Sequence, residues 1–180
     1  MKLATLAFFI SILLSCAVQN MRDVSNLNEG AAVLLIKLST NYNENNNVLL
    51  DDMKLSFLKR SKNGFSPVSQ FVKIESPGHY KIIILPSGTY GWGRVYMGQI
   101  YLKLTPDSTF SLEPSSINYL GDVFMDYEGK AWGLQPHFLK IDHKNDETSA
   151  REFLEQHYPE LYRNHKFLTA ENNMYLDKNP

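Results

Sequence analysis

Between residues 30 and 130 the chain is a succession of short apolar runs separated by turn residues, the pattern of an all-β sandwich or barrel. Residues 31–38 (AAVLLIKL) are apolar at nearly every position, which predicts a central strand, and the Asn-rich residues 41–47 (NYNENNN) predict a loop. Met53, Leu55 and Phe57 alternate with Lys54, Ser56 and Leu58, so the second strand has one clearly apolar face. Asn63-Gly64 is the strongest turn dipeptide in the chain and predicts a hairpin into the run Phe71 to Ile74. Tyr80 to Leu85 is apolar and β-branched on both faces, as expected of a strand covered on both sides. Pro86-Ser87-Gly88 turns the chain into Thr89 to Met97, and Gln99 to Leu104, Phe110 to Leu112 and Ile117 to Tyr127 complete the strands predicted before residue 130. Ile82, Ile84, Leu102, Leu112 and Tyr119 are the expected core residues. The predicted fold is mainly β: a single antiparallel β-sandwich over residues 30–145.

Both ends of the chain depart from this pattern. Leu3 to Leu14 is an almost unbroken apolar run behind Met1-Lys2, too short to span a bilayer, and residues 1–15 read as a secretory signal peptide. Residues 16–29 are polar and aperiodic and read as a flexible tether. Near the other end Ser149 and Glu152 match a capping box, and Phe153, Leu154, His157, Tyr158 and Leu161 fall on one helical stripe. A C-terminal amphipathic helix is therefore expected over residues 146–165, kinked or interrupted at Pro159. Residues 166–180 are expected to fray, with Phe167, Met174, Tyr175 and Leu176 as the candidates for contact with the body.

Charge narrows the function classes. The chain carries 18 basic and 19 acidic residues, and removal of residues 1–15 takes away only Lys2, which leaves 17 against 19. Such a balance gives no electrostatic footprint for nucleic acid and no polybasic strip for anionic lipid. The single cysteine, Cys16, forms no internal disulfide, so the fold rests on its apolar core.

No segment has the spacing of a known catalytic motif: there is no His-Glu-x-x-His pair, no Gly-x-Ser-x-Gly elbow and no glycine-rich phosphate loop. The five histidines are scattered, and no metal or cofactor is expected. Asp122, Asp126 and Glu128 form the densest carboxylate group and read as a solvated strand face, Asp122 and Asp126 being ~13 Å apart along a strand. The most unusual composition is Tyr90-Gly91-Trp92-Gly93-Arg94-Val95-Tyr96. Strict alternation sends Tyr90, Trp92, Arg94 and Tyr96 to one face. Exposed, these rings and the guanidinium would form a stacking platform for sugar or peptide, with Trp132 adding a ring from the following loop. Buried, they are core. Tyr90 reads as core, while Trp92 leans to the exposed platform because Gly91 and Gly93 leave the reverse face free to pack inward.

Leu13-Leu14-Ser15-Cys16 resembles the lipobox of bacterial lipoproteins, a small residue followed by a cysteine that is lipidated and becomes the new N-terminus. The resemblance implies a diacylglyceryl group on Cys16, usually joined by an N-acyl chain such as palmitate, which together pass the threshold for stable anchoring. On this reading membrane attachment rests on the lipid alone. Ala17 implies the outer membrane, facing the periplasm, if the envelope is Gram-negative.

A second resemblance rests on Leu85-Pro86-Ser87-Gly88-Thr89-Tyr90, Phe110-Ser111-Leu112-Glu113-Pro114 and Ile117-Asn118-Tyr119-Leu120-Gly121-Asp122, together with Tyr158-Pro159-Glu160-Leu161. These pieces, within residues 31–162, are similar to bacterial lipoproteins of uncharacterised function with a prealbumin-like sandwich. Ser115-Ser116 departs from the glycine usual there. The resemblance implies no catalytic residue. The function expected is a non-enzymatic, lipid-anchored envelope protein acting as an interaction or structural module toward an envelope protein or cell-wall glycan. A carbohydrate- or peptide-binding module using the aromatic strand is the alternative, and an enzyme acting on envelope polymers a third.

Overall fold

The structure is a computed structural model that describes residues 27–40, 53–61, 64–65, 69–75, 77–97, 100–128 and 137–176. Its strands are β1 (Ala31–Thr40), β2 (Met53–Ser61), β3 (Gly64–Phe65), β4 (Gln70–Lys73), β5 (His79–Pro86), β6 (Gly88–Met97), β7 (Ile100–Lys103), β8 (Thr109–Leu112), β9 (Ser116–Glu128), β10 (His137–Lys144) and β11 (Lys166–Thr169). Two helices, α1 (Glu147–His157) and α2 (Pro159–Asn164), lie between β10 and β11. The molecule is mainly β, and its strands form two sheets. The first has the order β10-β9-β1-β5, with β11 also paired to β9. In the second, β2 and β6 are central, β3 and β4 flank β2, and β7 and β8 flank β6.

The expectation of a purely antiparallel sandwich is corrected by the first sheet, where β1 pairs β9 in parallel and β11 pairs β9 in parallel. The reason is topological: after crossing the second sheet the chain re-enters at the end where β1 starts, marked by the Ser115 N–H donating to the Ala31 carbonyl at 2.7 Å.

β1 is buried on both faces because it is central in the middle layer. Ala32, Leu34, Ile36 and Leu38 point between the sheets and meet Leu55, Phe57, Tyr90, Trp92 and Phe110. Val33 and Leu35 point the other way, where they join Ile117 and Tyr119 beneath Ala150, Leu154 and Leu161. Each fully buried aliphatic side chain of this kind contributes ~1.5–3 kcal/mol by leaving water. β5 is different. It lies at the edge of the first sheet, so Ile82 and Ile84 are half-buried, yet both its faces are covered as expected: Ile83 and Leu85 pack into the core between the sheets, and Tyr80 and Ile82 into the cluster beneath the helices. Leu102 is also half-buried, whereas Leu112 and Tyr119 are fully buried.

Of the three register shifts among the described strands, those of β1/β9 and β2/β6 shape the two polar faces, the third lying between Phe138 and Lys140 of β10. The β1/β9 register slips between Leu35 and Lys37, opposite Leu120-Gly121, and Gly121 has φ 86°. A Cβ there would stand 2.9 Å from Asn145 Oδ1, and the positive φ suits glycine. The bulge puts Tyr119 and Asp122, three residues apart, on one face. The β2/β6 register slips between Leu55 and Phe57, where Gly93-Arg94 face the single residue Ser56. Ser56 stabilises the irregularity: its Oγ accepts from the Arg94 N–H at 2.8 Å and lies 3.3 Å from the Arg94 carbonyl.

α1 is capped by Asp146, not Ser149: the Asp146 carboxylate accepts from the Ser149 N–H at 3.3 Å, so the helix begins earlier than the capping-box reading placed it. α1 ends at His157, and α2 restarts with Pro159 in its first turn, where a missing N–H is harmless. The tail through residue 176 does not fray. β11 pairs with the first half of β9, and the chain then crosses to the second sheet, where Asn172 bridges Phe110 and Leu176 bridges Leu104. Met174 on this strap is 2% exposed.

Candidate functional site

The bulge at Gly93-Arg94 divides the aromatic strand. Before it Tyr90 and Trp92 face inward, at 1% and 4% exposure; after it Val95 faces inward instead, so Arg94 and Tyr96 face out. The expectation that Tyr90, Trp92, Arg94 and Tyr96 share one face is therefore corrected, and so is the lean of Trp92 toward an exposed platform. Tyr90 stacks on Phe110 at 5.2 Å, Trp92 lies 4.4 Å from the same ring, and Phe57 meets all three edge-on. Both polar handles are satisfied: the Tyr90 hydroxyl donates to the Pro86 carbonyl at 2.6 Å, and the Trp92 indole N–H donates to Asn172 Oδ1 at 2.8 Å. Tyr90 and Trp92 are core.

The outward half of the strand joins residues that no linear motif links to it. Strand pairing sets Tyr96 opposite Tyr101 and Arg94 opposite Lys103. On the other side Lys54 stands opposite both Tyr96 and Lys73. The rings form a row: Phe71 meets Tyr96 edge-on at 5.6 Å, and Tyr96 meets Tyr101 at 6.0 Å. Phe71 is 49% and Tyr101 43% exposed. Arg94 sits over the Tyr101 ring at 4.2 Å, and Lys54 Nζ lies 5.5 Å from the Phe71 centroid.

Charge is segregated with these rings. The strands of the second sheet carry Lys54, Lys59, Arg60, Lys73, Arg94 and Lys103 and no Asp or Glu. The near-neutral balance of the whole chain averages over this difference, because the carboxylates of the strands lie in the first sheet, on β9 and β10. Like charges directly opposite each other on a sheet oppose folding, and this face has two such pairs, Arg94 with Lys103 and Lys54 with Lys73. The cation–ring contacts, ~0.5–1 kcal/mol each when exposed, offset part of that repulsion. They also occupy ring faces with cations, so the surface presents positive charge rather than open stacking platforms.

A second polar cluster lies under the helices. The Tyr119 hydroxyl donates to Asp122 Oδ1 at 2.6 Å and accepts from the Asp146 N–H at 3.1 Å. Lys37 reaches Asp122 Oδ2 at 3.3 Å, and its Nζ lies 5.3 Å from the Tyr80 ring. Burial holds the Tyr119 phenol well above its ordinary range, with the hydrogen bond to Asp122 adding to the effect; burial and then the Asp122 charge do the same to Tyr80. Both phenols stay protonated near neutrality. The chain Lys37–Asp122–Tyr119–Asp146 ties the sheet to the start of α1 and is read as a clamp.

Asp122 is thus a structural partner rather than part of a solvated carboxylate face, and Asp126 is half-buried. Among the described residues no group of three His, Cys, Asp or Glu side chains could hold a metal ion. Cys16 and Trp132 lie outside the described residues, as do residues 1–15, most of the 16–29 segment and the Asn-rich loop. Phe71, Tyr101, Lys73 and Lys103 were not singled out by sequence reasoning, because only cross-strand register brings them to Tyr96 and Arg94. No family model matches the chain, and neither a curated protein nor a solved structure is significantly similar to it.

Proposed function

We propose that the chain is a lipid-anchored bacterial envelope protein, exported by residues 1–15 and held through Cys16, whose sandwich is a non-enzymatic interaction module. The observation that carries the binding role is the outer face of the second sheet: exposed Phe71 and Tyr101, half-buried Tyr96, and cations held over the rings, with like charges paired across strands. A face maintained only for stability would alternate its charges. The two packed sheets support the sandwich part of the prealbumin-like reading, and the clamp under the helices has neutral phenols and an engaged carboxylate, a poor arrangement for acid/base work. The carbohydrate- or peptide-binding alternative moves from Trp92 to the same outer face.

Two measurements test this. Labelled palmitate should be incorporated by the wild type and not by Cys16→Ser; unchanged incorporation in the variant contradicts the anchor. Lys73→Glu/Arg94→Glu should fold as the wild type does, since both side chains are exposed, yet lose cross-linked adducts in cells. An unaltered adduct pattern contradicts an envelope protein or glycan as the partner of this face.

A further inference from the structure

Resting on that reading, we infer that the outer face of the second sheet docks on the anionic phospholipid headgroups of the bilayer to which the chain is anchored. Three observations converge. The strands of this sheet carry no acidic residue, and Lys73, Arg94 and Lys103 stand exposed on its outer face, Lys59 lying instead on the inner side over the Tyr90 ring, so the face complements phosphate whatever the balance of the whole chain. The exposed groups, Phe71, Lys73, Arg94, Tyr101 and Lys103, project from neighbouring strands of one sheet and present a broad face rather than a groove, which fits a surface. Their chemistry is that of the interface: aromatic rings at headgroup level, and long cationic side chains whose stems lie along apolar surface.

Chain geometry permits the contact. The first described residue, Leu27, packs into the cluster beneath the helices, and the chain then turns through Gly30, whose carbonyl accepts from the Ser87 N–H at 2.8 Å beside the start of β6. From Gly88 to Tyr96 is about 26 Å along the strand. Residues 16–26 reach at most about 36 Å when extended, enough to pass two sheets packed about 10 Å apart and lay the second on the surface to which Cys16 is fixed. Anchoring also makes docking intramolecular, so a weak surface attraction suffices. A phosphate set between Arg94 and Lys103 relieves the repulsion between these two cations.

Lysine acylation footprinting of the full lipidated protein tests the inference. The protein is reconstituted in vesicles of phosphatidylcholine with and without phosphatidylglycerol. Lys73 and Lys103 should be acylated about tenfold more slowly with phosphatidylglycerol, the equivalent of ~1.4 kcal/mol of docking, while Lys140 and Lys166 of the first sheet keep their rates. The protection should vanish in 1 M salt, where screening length falls to about 3 Å, and in Arg94→Glu. Equal rates in both vesicles overturn the docking, and so does protection by dextran sulfate without any by phosphatidylglycerol, which assigns the face to a soluble polyanion. Flotation separates the two readings: protein that floats with both vesicles but shows no protection keeps its anchor and loses the docking, whereas protein that floats with neither lacks the anchor itself.

Discussion

Trp92 and Asn172, eighty positions apart, are joined across the sandwich by an indole N–H that donates to Oδ1 at 2.8 Å. The Asn172 amide in turn donates to the Leu120 carbonyl at 2.8 Å, so one side chain on the C-terminal strap links both sheets. Asn172→Ala leaves a buried donor and an acceptor unpaired and should destabilise the fold by ~1–3 kcal/mol in urea unfolding. Met174→Ala, on the same strap, should cost ~2–5 kcal/mol. Losses under half a kcal/mol in both would show that the strap is peripheral.

The bulge in β6 depends on a small residue at position 93. A Cβ on Gly93 would stand 2.6 Å from Ser56 Oγ and 3.2 Å from Leu58 Cδ1. Gly93→Ala should therefore destabilise by ~1–3 kcal/mol, as overpacking does. Ser56→Ala leaves the Arg94 N–H without its acceptor and should cost a comparable amount. The double variant should be less destabilised than the sum of the two, because the oxygen that the added methyl group would strike is gone. Strict additivity would contradict the bulge.

Tyr119→Phe removes the hydroxyl that Asp122 and the Asp146 N–H share. The expected loss is ~1–3 kcal/mol, together with faster amide exchange in the first turn of α1 and little change in β6. Exchange unaltered at α1 would contradict the clamp.

Burial raises the Tyr90 phenol from its ordinary value of 10 to about 12. Below the unfolded value both states keep the proton and stability is complete. Above it the unfolded chain loses its proton first, so stability falls as the pH rises from 10 through about 12, and Tyr80 and Tyr119 act in the same direction. Urea midpoints should fall across this window, with phenolate absorbance from these residues appearing only on unfolding. A midpoint independent of pH there would contradict their burial.

Much of the strand pattern was legible because period and turn residues are local. The run Ile117 to Tyr127 and the turn at Pro86-Ser87-Gly88 appear in the structure within a residue of where sequence placed them, and the run Met53 to Phe57 opens β2, which continues to Ser61. Strand order is not local: Tyr80 to Leu85 is covered on both faces, as its composition indicates, but its place at the sheet edge is set by pairing that no local pattern encodes. β10 and β11 are rich in polar residues and were missed; each is recruited by pairing with β9. The candidate site was half legible. Arg94 and Tyr96 were chosen for composition, but a one-residue bulge reverses their relation to Trp92, and alternation arguments fail wherever a bulge intervenes. The glycines that permit both bulges, Gly93 and Gly121, were visible, and their meaning lay in the residues opposite them.

The central claim is that β6 turns Trp92 into the core and Arg94 and Tyr96 onto the functional face. Tryptophan fluorescence with iodide, in Trp132→Phe so that Trp92 is the sole emitter, tests it most directly. The account predicts blue-shifted emission that iodide does not quench, shifting to the red on unfolding. Red-shifted, freely quenched emission from the folded protein would place Trp92 in solvent and contradict both the bulge and the face built on it.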